Sequence, residues 1–252
     1  MSLLKRLFSG GTPKRASGPA FNAPIRPDDA FFAIGDIHGT QTRLLAALSS
    51  IAEQAEHPTI VCVGDYVDRG EQSADVLRTL KEHSDRLGPS FVCLMGNHEQ
   101  MMLKFIEDPE ANGERWLRYG GLQTIASFGV GLGSNRNFSI VRDQLVSVMG
   151  EELIDWLRGL PKDWVSGNIA VVHAGADPLV PIANQRSGHL LWGHPEFETV
   201  PRNDGVWVLH GHTIVPEPYA VNGRIAVDTG AYATGRLTVA HVLADQVAFS
   251  SF

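Results

Sequence analysis

Three short apolar runs in the first half of the chain are each followed by a segment with helical periodicity. The runs AFFAIGD, TIVCVGD and SFVCLMGN precede TRLLAALSSIAEQA, SADVLRTLKEH and EQMMLKFIED, respectively. Continuous apolar runs are typical of strands buried on both faces, and helical crossovers imply parallel pairing with right-handed connections. The pattern therefore predicts a β-α-β-α-β-α opening around a largely parallel sheet.

The pattern changes twice further along the chain. Between about residues 109 and 160 the apolar positions follow helical spacing between Gly-containing breaks, so we expect a helical insertion that walls the substrate cleft. After Pro161 the chain is rich in predicted strands, which lie in NIAVVHAG, GVWVLHGHT, RIAVDTGAY and RLTVAHVL and are separated by turn residues.

Residues 1 to about 28 are rich in Gly, Pro, Ser and basic residues, which predicts a flexible basic tail before a single domain at 29–252. Lys5 and Arg6 interrupt the apolar start, unlike in a secretory signal. No segment is long and apolar enough to be a transmembrane candidate. A weak peripheral membrane contact by the tail is the alternative, which its few apolar side chains disfavour.

Composition narrows the choice of function. Hydrophobic residues make up 43% and charged residues 19% of the 252 positions, as in a globular protein. The net charge of -7 argues against binding an extended nucleic-acid polymer, although one phosphate in a metal-lined cleft remains compatible. Cys62 and Cys93 lie inside apolar runs, so we expect two buried thiols and a reducing, cytoplasmic location.

Five polar motifs follow apolar strands at their C-terminal ends: GDIHG, GDYVDRG, GNHE, HAG and HGHT. Open α/β sheets bind ligands at this edge. In GDIHG, Asp36 and His38 are alternate residues that point the same way, so both can bind one metal ion while the glycines let the backbone turn. A surface turn would explain this motif alone equally well.

The second motif adds a carboxylate and a cation. Asp65 can bridge two metal ions through its two oxygens, and Arg69 offers a planar fork to phosphate oxygens. A surface ion pair between Asp68 and Arg69 is the alternative for this motif. Because five such motifs follow one another at strand ends, a binuclear metal site explains the set better than five independent structural roles.

The remaining motifs supply neutral donors. Asn97 offers an amide oxygen, His173 and His212 offer imidazoles, and His98 is free to act as an acid. Carboxylate, imidazole and amide donors together suit Mn, Fe or Zn, and the donor types do not distinguish these metals.

These motifs resemble those of the calcineurin-like metallophosphoesterases, and most closely the bacterial and phage PPP-type serine/threonine protein phosphatases. The resemblance covers about residues 31 to 240, and GDYVDRG and GNHE are its most specific parts. It implies an α/β fold, a β-sandwich of mixed sheets flanked by helices in αββα layers. It also implies two metal ions as cofactors.

Carried over by position, the resemblance implies six metal ligands. One metal is bound by Asp36 and His38 and the other by Asn97, His173 and His212, with Asp65 bridging. The resemblance also makes His98 the general acid, paired with Asp68, while Arg69 binds the substrate phosphate. We expect Asn97 and His194 to contribute to phosphate binding as well.

The chain departs from the family pattern at two positions. A second phosphate-binding arginine is expected just after the tryptophan of LLW, but the sequence reads LLWGHPEF and places His194 there. Arg186 or Arg202 is the alternative substitute, and a structural surface loop is a further interpretation. Met95 also stands where many relatives carry an arginine before GNHE.

The hypothesis that follows is a serine/threonine, or broad-specificity, protein phosphatase in which a metal-bridging hydroxide attacks phosphorus and His98 protonates the leaving oxygen. The first alternative is hydrolysis of a dinucleoside polyphosphate or another small phosphoester. Nucleotide binding needs aromatic stacking, for which the candidates are Trp192, Trp207, Tyr219 and Tyr232. A catalytically silent metal-binding or phospho-recognition module is the third interpretation, and the complete set of acid and arginine residues disfavours it.

Overall fold

The structure is a computed structural model that describes residues 21–133 and 137–252. Its strands are β1 (Phe31–Ile34), β2 (Thr59–Cys62), β3 (Phe91–Cys93), β4 (Asp163–Ser166), β5 (Ile169–Val172), β6 (Trp207–His210), β7 (Tyr219–Val221), β8 (Arg224–Ala226), β9 (Thr238–Leu243) and β10 (Gln246–Ser251). Its α-helices are α1 (Gln41–Gln54), α2 (Ser73–Leu87), α3 (Asn97–Glu107), α4 (Pro109–Trp116), α5 (Leu122–Ser127), α6 (Phe138–Met149), α7 (Glu151–Arg158), α8 (Ser187–Trp192) and α9 (Ala231–Thr234). A wide helical turn at Leu117–Gly121 joins α4 to α5.

Two five-stranded mixed sheets form the centre of the fold. The first has the order β10-β9-β1-β2-β3, in which β1, β2 and β3 are parallel while β9 and β10 pair antiparallel at one side. The second has the order β4-β5-β6-β8-β7, with β5, β6 and β8 parallel between antiparallel edge strands. The predicted mixed-sheet α/β fold is confirmed, although each sheet contains more antiparallel pairing than the βα repeats alone predicted.

Strand β1 is buried on both faces, which explains its continuous apolar sequence. Phe31 and Ala33 belong to the core between the two sheets, whereas Phe32 and Ile34 pack into the core under the helices. Because successive side chains of a strand point to opposite faces, one apolar run serves both layers. The second sheet has its own outer cluster, where Val172 and Val208 pack against Leu190 of α8.

The predicted helical insertion is present between residues 109 and 160 in the described part of the chain, as helices α4 to α7. Its apolar positions, among them Trp116, Ile125 and Leu145, are buried in the same core as α1, α2 and α3. The insertion therefore extends the helical layer on the first sheet and is part of the main hydrophobic core.

Residues 21–28 pack on the second sheet, although composition assigned them to the predicted tail. Ile25 is buried, and the ring of Phe21 meets Trp207 edge-on at 5.1 Å between centroids. The backbone N–H of Asp28 donates to the Ser166 hydroxyl at 2.9 Å. We call residues 21–28 the N-terminal strap. Residues 1–20 lie outside the described residues.

Two further expectations concern the cysteines and the membrane. Cys62 and Cys93 are buried free thiols on the neighbouring strands β2 and β3, as their apolar surroundings predicted. None of the helices in the described ranges has the length and apolar character required to cross a bilayer.

Candidate metal centre and acid site

The C-terminal ends of the parallel strands of both sheets meet along one edge of the sandwich, and the polar motifs lie there. The loops after β1, β2 and β3 come from the first sheet, and those after β5 and β6 come from the second. This convergence brings together all nine predicted metal-ligand and acid residues: Asp36, His38, Asp65, Asp68, Arg69, Asn97, His98, His173 and His212.

Five of these residues hold an unusual backbone conformation. Positive φ angles occur at His38 (44°), Asp65 (53°), Asp68 (72°), Arg69 (68°) and His212 (64°). L-residues adopt this region at a cost of order 1–3 kcal/mol each, which persists only where the surrounding structure fixes it. The loops are thus held in strained turns that direct their side chains towards one point.

The tautomers of two histidines are set by backbone carbonyls. Nδ1 of His38 lies 2.7 Å from the carbonyl oxygen of Val67, and Nδ1 of His173 lies 3.0 Å from that of Val63. A carbonyl oxygen can only accept, so Nδ1 carries the hydrogen in each ring and Nε2 presents a lone pair. Burial lowers the pKa of His38 to about 3 and that of His173 to about 4, so both are neutral ligands at pH 7.

Asp65 lies at the centre of these imidazoles. Its carboxylate oxygens are 3.5 Å from Nε2 of His38, 3.3 Å from Nε2 of His173 and 3.8 Å from Nε2 of His98. Burial favours the neutral acid, but the three imidazoles, which are protonated at the acidic pH where Asp65 titrates, outweigh it and hold the pKa of Asp65 below its usual range. The carboxylate is therefore ionised and shared by both halves of the site.

Asn97 and Asp36 complete the donor set. The Asn97 amide oxygen lies 2.8 Å from Nε2 of His173 and 2.9 Å from Nδ1 of His212. Asp36 accepts from the backbone N–H of His212, and its pKa is raised by burial and by the neighbouring carboxylates Asp228 and Asp65.

The donor chemistry fits metal ions. At this site two groups have ligand atoms within 4.8 Å of one another: His38, Asp65 and His98, and Asp65, His173 and His212. In the second group a lone pair of His173 faces acceptor oxygens of Asp65 and Asn97, an arrangement that a cation between them stabilises. Asp65 belongs to both groups, as a bridging ligand would.

His98 forms the acid site with Asp68 and Arg69. Its Nδ1 donates to Asp68 Oδ2 at 2.7 Å, and Arg69 lies 3.2 Å from its Nε2. Burial lowers the pKa of His98, but Asp65 and the hydrogen-bonded Asp68 raise it more, so the net shift is upward. The protonated ring is thereby stabilised at the edge of the metal centre, where a general acid is needed.

The sequence did not identify the residues that hold Asp68. Trp116 Nε1 donates to both Asp68 oxygens at 3.0 Å, and the Thr124 hydroxyl donates to Oδ1 at 2.7 Å. Both donors come from the helical insertion, 48 and 56 residues along the chain. Helical spacing places Trp116 in an apolar stripe and gives Thr124 no role, and nothing local distinguishes either from an ordinary helical residue.

The role of Glu99 was also not predicted from the sequence. Its carboxylate accepts from the backbone N–H groups of Asp65 (2.9 Å), Tyr66 (2.7 Å), Val67 (3.2 Å) and Gly96 (2.9 Å). One buried side chain therefore joins the loop after β2 to the loop after β3. Its position in GNHE was a signal, because a carboxylate at the third position of a helix commonly reaches back to backbone N–H groups.

Asp228 follows β8 in the same way that the predicted ligands follow their strands. It is buried, its Oδ1 accepts from Gly230 N at 2.8 Å, and its pKa is raised to about 6, mainly by burial. The recurring strand-end position in RIAVDTG would have identified it beside Asp36.

His194 lies apart from the acid site. Its Nε2 is 3.6 Å from Asp177 Oδ2, and its ring packs against His189 at 4.7 Å. It borders a cavity of about 370 Å³ that His212 also lines, so it faces the metal centre across this cavity. Arg186 is exposed and lines a neighbouring cavity with His194.

Arg202 and Met95, the other two residues considered where the chain departs from the family pattern, have structural roles. Arg202 is buried and donates to Asp204 and to the carbonyl oxygens of Asp177 and Val180. This use of its donors removes Arg202 from the candidates for phosphate binding. Met95 is a buried member of the main core and offers no charge to a substrate.

The profile of the calcineurin-like phosphoesterase family matches residues 30–216, a span that contains every predicted ligand and the acid site. The chain belongs to this family. It is therefore a metal-dependent phosphoesterase. The family membership predicted from the motifs is confirmed.

Relatives within this phosphoesterase family differ in their substrates. The chain is 26% identical to bis(5'-nucleosyl)-tetraphosphatase PrpE (asymmetrical) of Bacillus velezensis, over 83% of this chain and 87% of that one. It is 37% identical to serine/threonine-protein phosphatase 2 of Escherichia coli, over only 36% of this chain and 38% of that one. A crystal structure provisionally described as a diadenosine tetraphosphatase shares the fold, with a TM-score of 0.63, 20% identity and coverage of 91% and 98%.

Proposed function

We propose that the protein hydrolyses a phosphoanhydride bond of a dinucleoside polyphosphate. The observation that carries the chemistry is the acid pair of His98 and Asp68, at 2.7 Å, beside the Asp65-centred donor set. The substrate class is supported by the tetraphosphatase of Bacillus velezensis, because the similarity extends along 83% of the chain. The similarity thus favours dinucleoside polyphosphates over phosphoproteins, whereas the motifs alone favoured phosphoproteins.

In the proposed mechanism, one set of residues stabilises negative charge on the phosphate and another transfers the proton. Metal ions held by the Asp65-centred ligands would supply positive charge to the phosphate and activate the attacking water. Arg69 donates to Nε2 of His98 in the structure. When its guanidinium binds a phosphate oxygen instead, Nε2 is freed, takes up a proton from solvent because Asp65 and Asp68 raise the pKa of the ring, and can deliver that proton to the leaving group. Water adds to phosphorus, the bond to the leaving phosphate oxygen breaks, and His98 protonates that oxygen while Asp68 orients the ring.

Hydrolysis of phosphoserine or phosphothreonine in proteins is the second candidate. It is favoured by the 37% identity to serine/threonine-protein phosphatase 2 of Escherichia coli over 90 residues. The chemistry is the same, because a serine or threonine oxygen would take the proton of His98 in place of a phosphate oxygen.

A substrate comparison on protein reconstituted with Mn²⁺ tests the proposal. We expect kcat/KM for diadenosine tetraphosphate to exceed that for a phosphoserine peptide by about 10²-fold, because an enzyme discriminates between substrates by how strongly it binds each transition state. The Asp68→Asn variant is the control for contaminating hydrolases, because it should lose turnover of both substrates. A higher kcat/KM for the phosphopeptide would contradict the proposal and support the second candidate.

A further inference from the structure

Two of the four tyrosines are exposed, and both lie beside the catalytic residues. The ring of Tyr119 is 45% exposed and lies 6.5 Å from the ring of His98. The ring of Tyr232 is 39% exposed and lies 5.3 Å from that of His38. We call these two side chains the aromatic rim. Their rings are therefore accessible to a planar ligand group that is bound next to His98 and His38.

The position of Tyr119 is fixed by the wide turn at Leu117–Gly121. Within this turn Gly120 has a φ of +106°, and its carbonyl oxygen accepts from the backbone N–H of Arg69 at 3.3 Å. A Cβ at Gly120 would lie 2.6 Å from that nitrogen, so glycine is needed for the close approach. The turn is therefore docked on the Arg69 loop, and it holds Tyr119 on the side of His98.

Tyr232 flanks the site from the other direction. It lies in the short helix α9, and the Arg69 guanidinium carbon is 4.8 Å from its ring centroid. This contact covers part of the ring, while the exposed part borders the metal centre beside His38. Arg69, the residue assigned to phosphate, thus lies between the two tyrosines.

The other aromatic candidates are used elsewhere. Trp207 is buried against Phe21 of the N-terminal strap. Trp192 donates to Gln100 at 3.0 Å, Arg115 lies over its ring, and its remaining exposed part lines the cavity of His194 and His212, away from His98. Tyr219 is partly buried and its hydroxyl points to Glu198. Among residues 21–133 and 137–252, the aromatic rim is therefore the exposed aromatic surface beside His98 and Arg69.

We propose that the aromatic rim binds the purine base of a nucleotide whose phosphate is held at Arg69 and the metal ligands. This inference rests on the proposed nucleotide function and deepens it, because it assigns a site to the base. Tyr119 lies on the side of the leaving group, since His98 is the residue that protonates the leaving oxygen. A phosphorylated serine or threonine carries no ring to occupy this surface, so the aromatic rim favours nucleotides.

Competitive inhibition separates base binding from phosphate binding. AMP and inorganic phosphate share the phosphate chemistry, but only AMP carries a base. We expect AMP to inhibit the wild type with a KI about tenfold below that of phosphate, because stacking one base contributes a factor of this order. Tyr119→Ala should raise the KI of AMP about tenfold and leave that of phosphate within about twofold.

Two variants serve as matched controls. Tyr119→Phe keeps the ring and should retain the wild-type KI for AMP. Ile140→Ala removes another exposed apolar side chain, on α6 of the same insertion, and should change neither constant. The base-binding assignment is overturned if AMP and phosphate inhibit the wild type equally, or if Tyr119→Ala raises both constants by the same factor.

The same assay separates base binding by the aromatic rim from the proposed hydrolysis of dinucleoside polyphosphates, on which this inference rests. Inhibition is measured with diadenosine tetraphosphate or with a phosphoserine peptide that lacks aromatic residues, whichever the wild type hydrolyses. Turnover of the peptide alone would defeat the proposed dinucleotide function. The ratio of the two inhibition constants would still decide whether the aromatic rim binds a base.

Discussion

In the proposed mechanism, His98 transfers a proton and does not bind metal, although its ring lies within reach of His38 and Asp65. Its imidazole donates to Asp68, while Asp65, Asn97 and the other histidines are the proposed metal donors. We expect His98→Asn to lower kcat by about 10²–10⁴-fold, the usual contribution of a general acid, while the metal content stays the same. Steady-state kinetics and elemental analysis on the same preparation provide the two measurements.

The control for this variant is His57→Asn, which alters an exposed histidine at the end of the α1–β2 connection. It should retain wild-type kinetics and metal content. If His98→Asn turns over at the wild-type rate, His98 is not the acid. If it loses metal as well, its role cannot be proton transfer alone.

A second prediction at this scale concerns acid sensitivity through His210. Burial lowers its pKa to about 4, and its Nε2 has no partner among the described residues. Between pH 6.5 and 4 the unfolded chain binds a proton at this residue that the folded protein does not, so stability falls as pH falls.

Replacing His210 removes this proton uptake. Between pH 7.5 and 5.5 the wild type should lose about 1.4 kcal/mol more unfolding free energy than His210→Phe, which follows from one proton and the linkage relation. Urea unfolding at the two pH values measures the difference. Equal losses in both proteins would show that His210 does not titrate in this range.

Whether the role of a residue could be predicted from the sequence depends on how far along the chain its partners lie. Asp36, Asp65 and Asn97 could be assigned because each lies in a short motif directly after an apolar strand. Trp116 and Thr124 could not, because their hydrogen bonds to Asp68 cross about fifty positions of sequence and resemble core packing until the chain is folded. Asp228 and Glu99 are intermediate cases, because the strand-end position of Asp228 and the third helical position of Glu99 were signals in the sequence, whereas the backbone N–H groups that they bind became clear only in the fold.

At the scale of elements, the helical insertion reaches the acid site through α4. Trp116 is fully buried, stacks near Phe105 and donates to the Asp68 carboxylate. Trp116→Phe keeps an aromatic ring in the core but removes the donor. We expect kcat to fall about tenfold with unchanged metal content, because a hydrogen bond to a charged group is worth about 1.5–3 kcal/mol.

The matched variant is Trp156→Phe, which makes the same chemical change on α7, where the side chain is partly buried at the edge of the same core. It should leave kcat unchanged and affect only stability. A similar loss of kcat in both variants would mean that core packing, and not the bond to Asp68, controls turnover.

The N-terminal strap belongs to the scale of the whole molecule. Its Phe21 and Ile25 pack on the second sheet, and Asn168 in the β4–β5 turn bonds its backbone at Pro24 and Arg26. Sequence composition could not separate this strap from the preceding residues, because its few apolar side chains have no periodicity.

Two truncations test the contribution of the strap. Deleting residues 1–28 should lower Tm by about 5 °C or more, because burying a Phe or Ile side chain contributes about 1.5–3 kcal/mol and each kcal/mol shifts Tm by about 2–4 °C. Deleting residues 1–20 keeps every contact of the strap, so this protein should have a Tm about 5 °C or more above that of the protein that lacks residues 1–28. Equal Tm values for the two truncated proteins would contradict a stabilising strap.

The hydrogen bonds from the insertion to Asp68 have a consequence for divergence within the family. Asp65 and Asp68 together raise the pKa of His98, and Trp116 and Thr124 hold Asp68 by hydrogen bonds. If His98 is the acid, substitutions in α4 and α5 would alter the pH optimum of hydrolysis while every proposed metal ligand is retained. The insertion would then let the same strand-end motifs work at a different acidity.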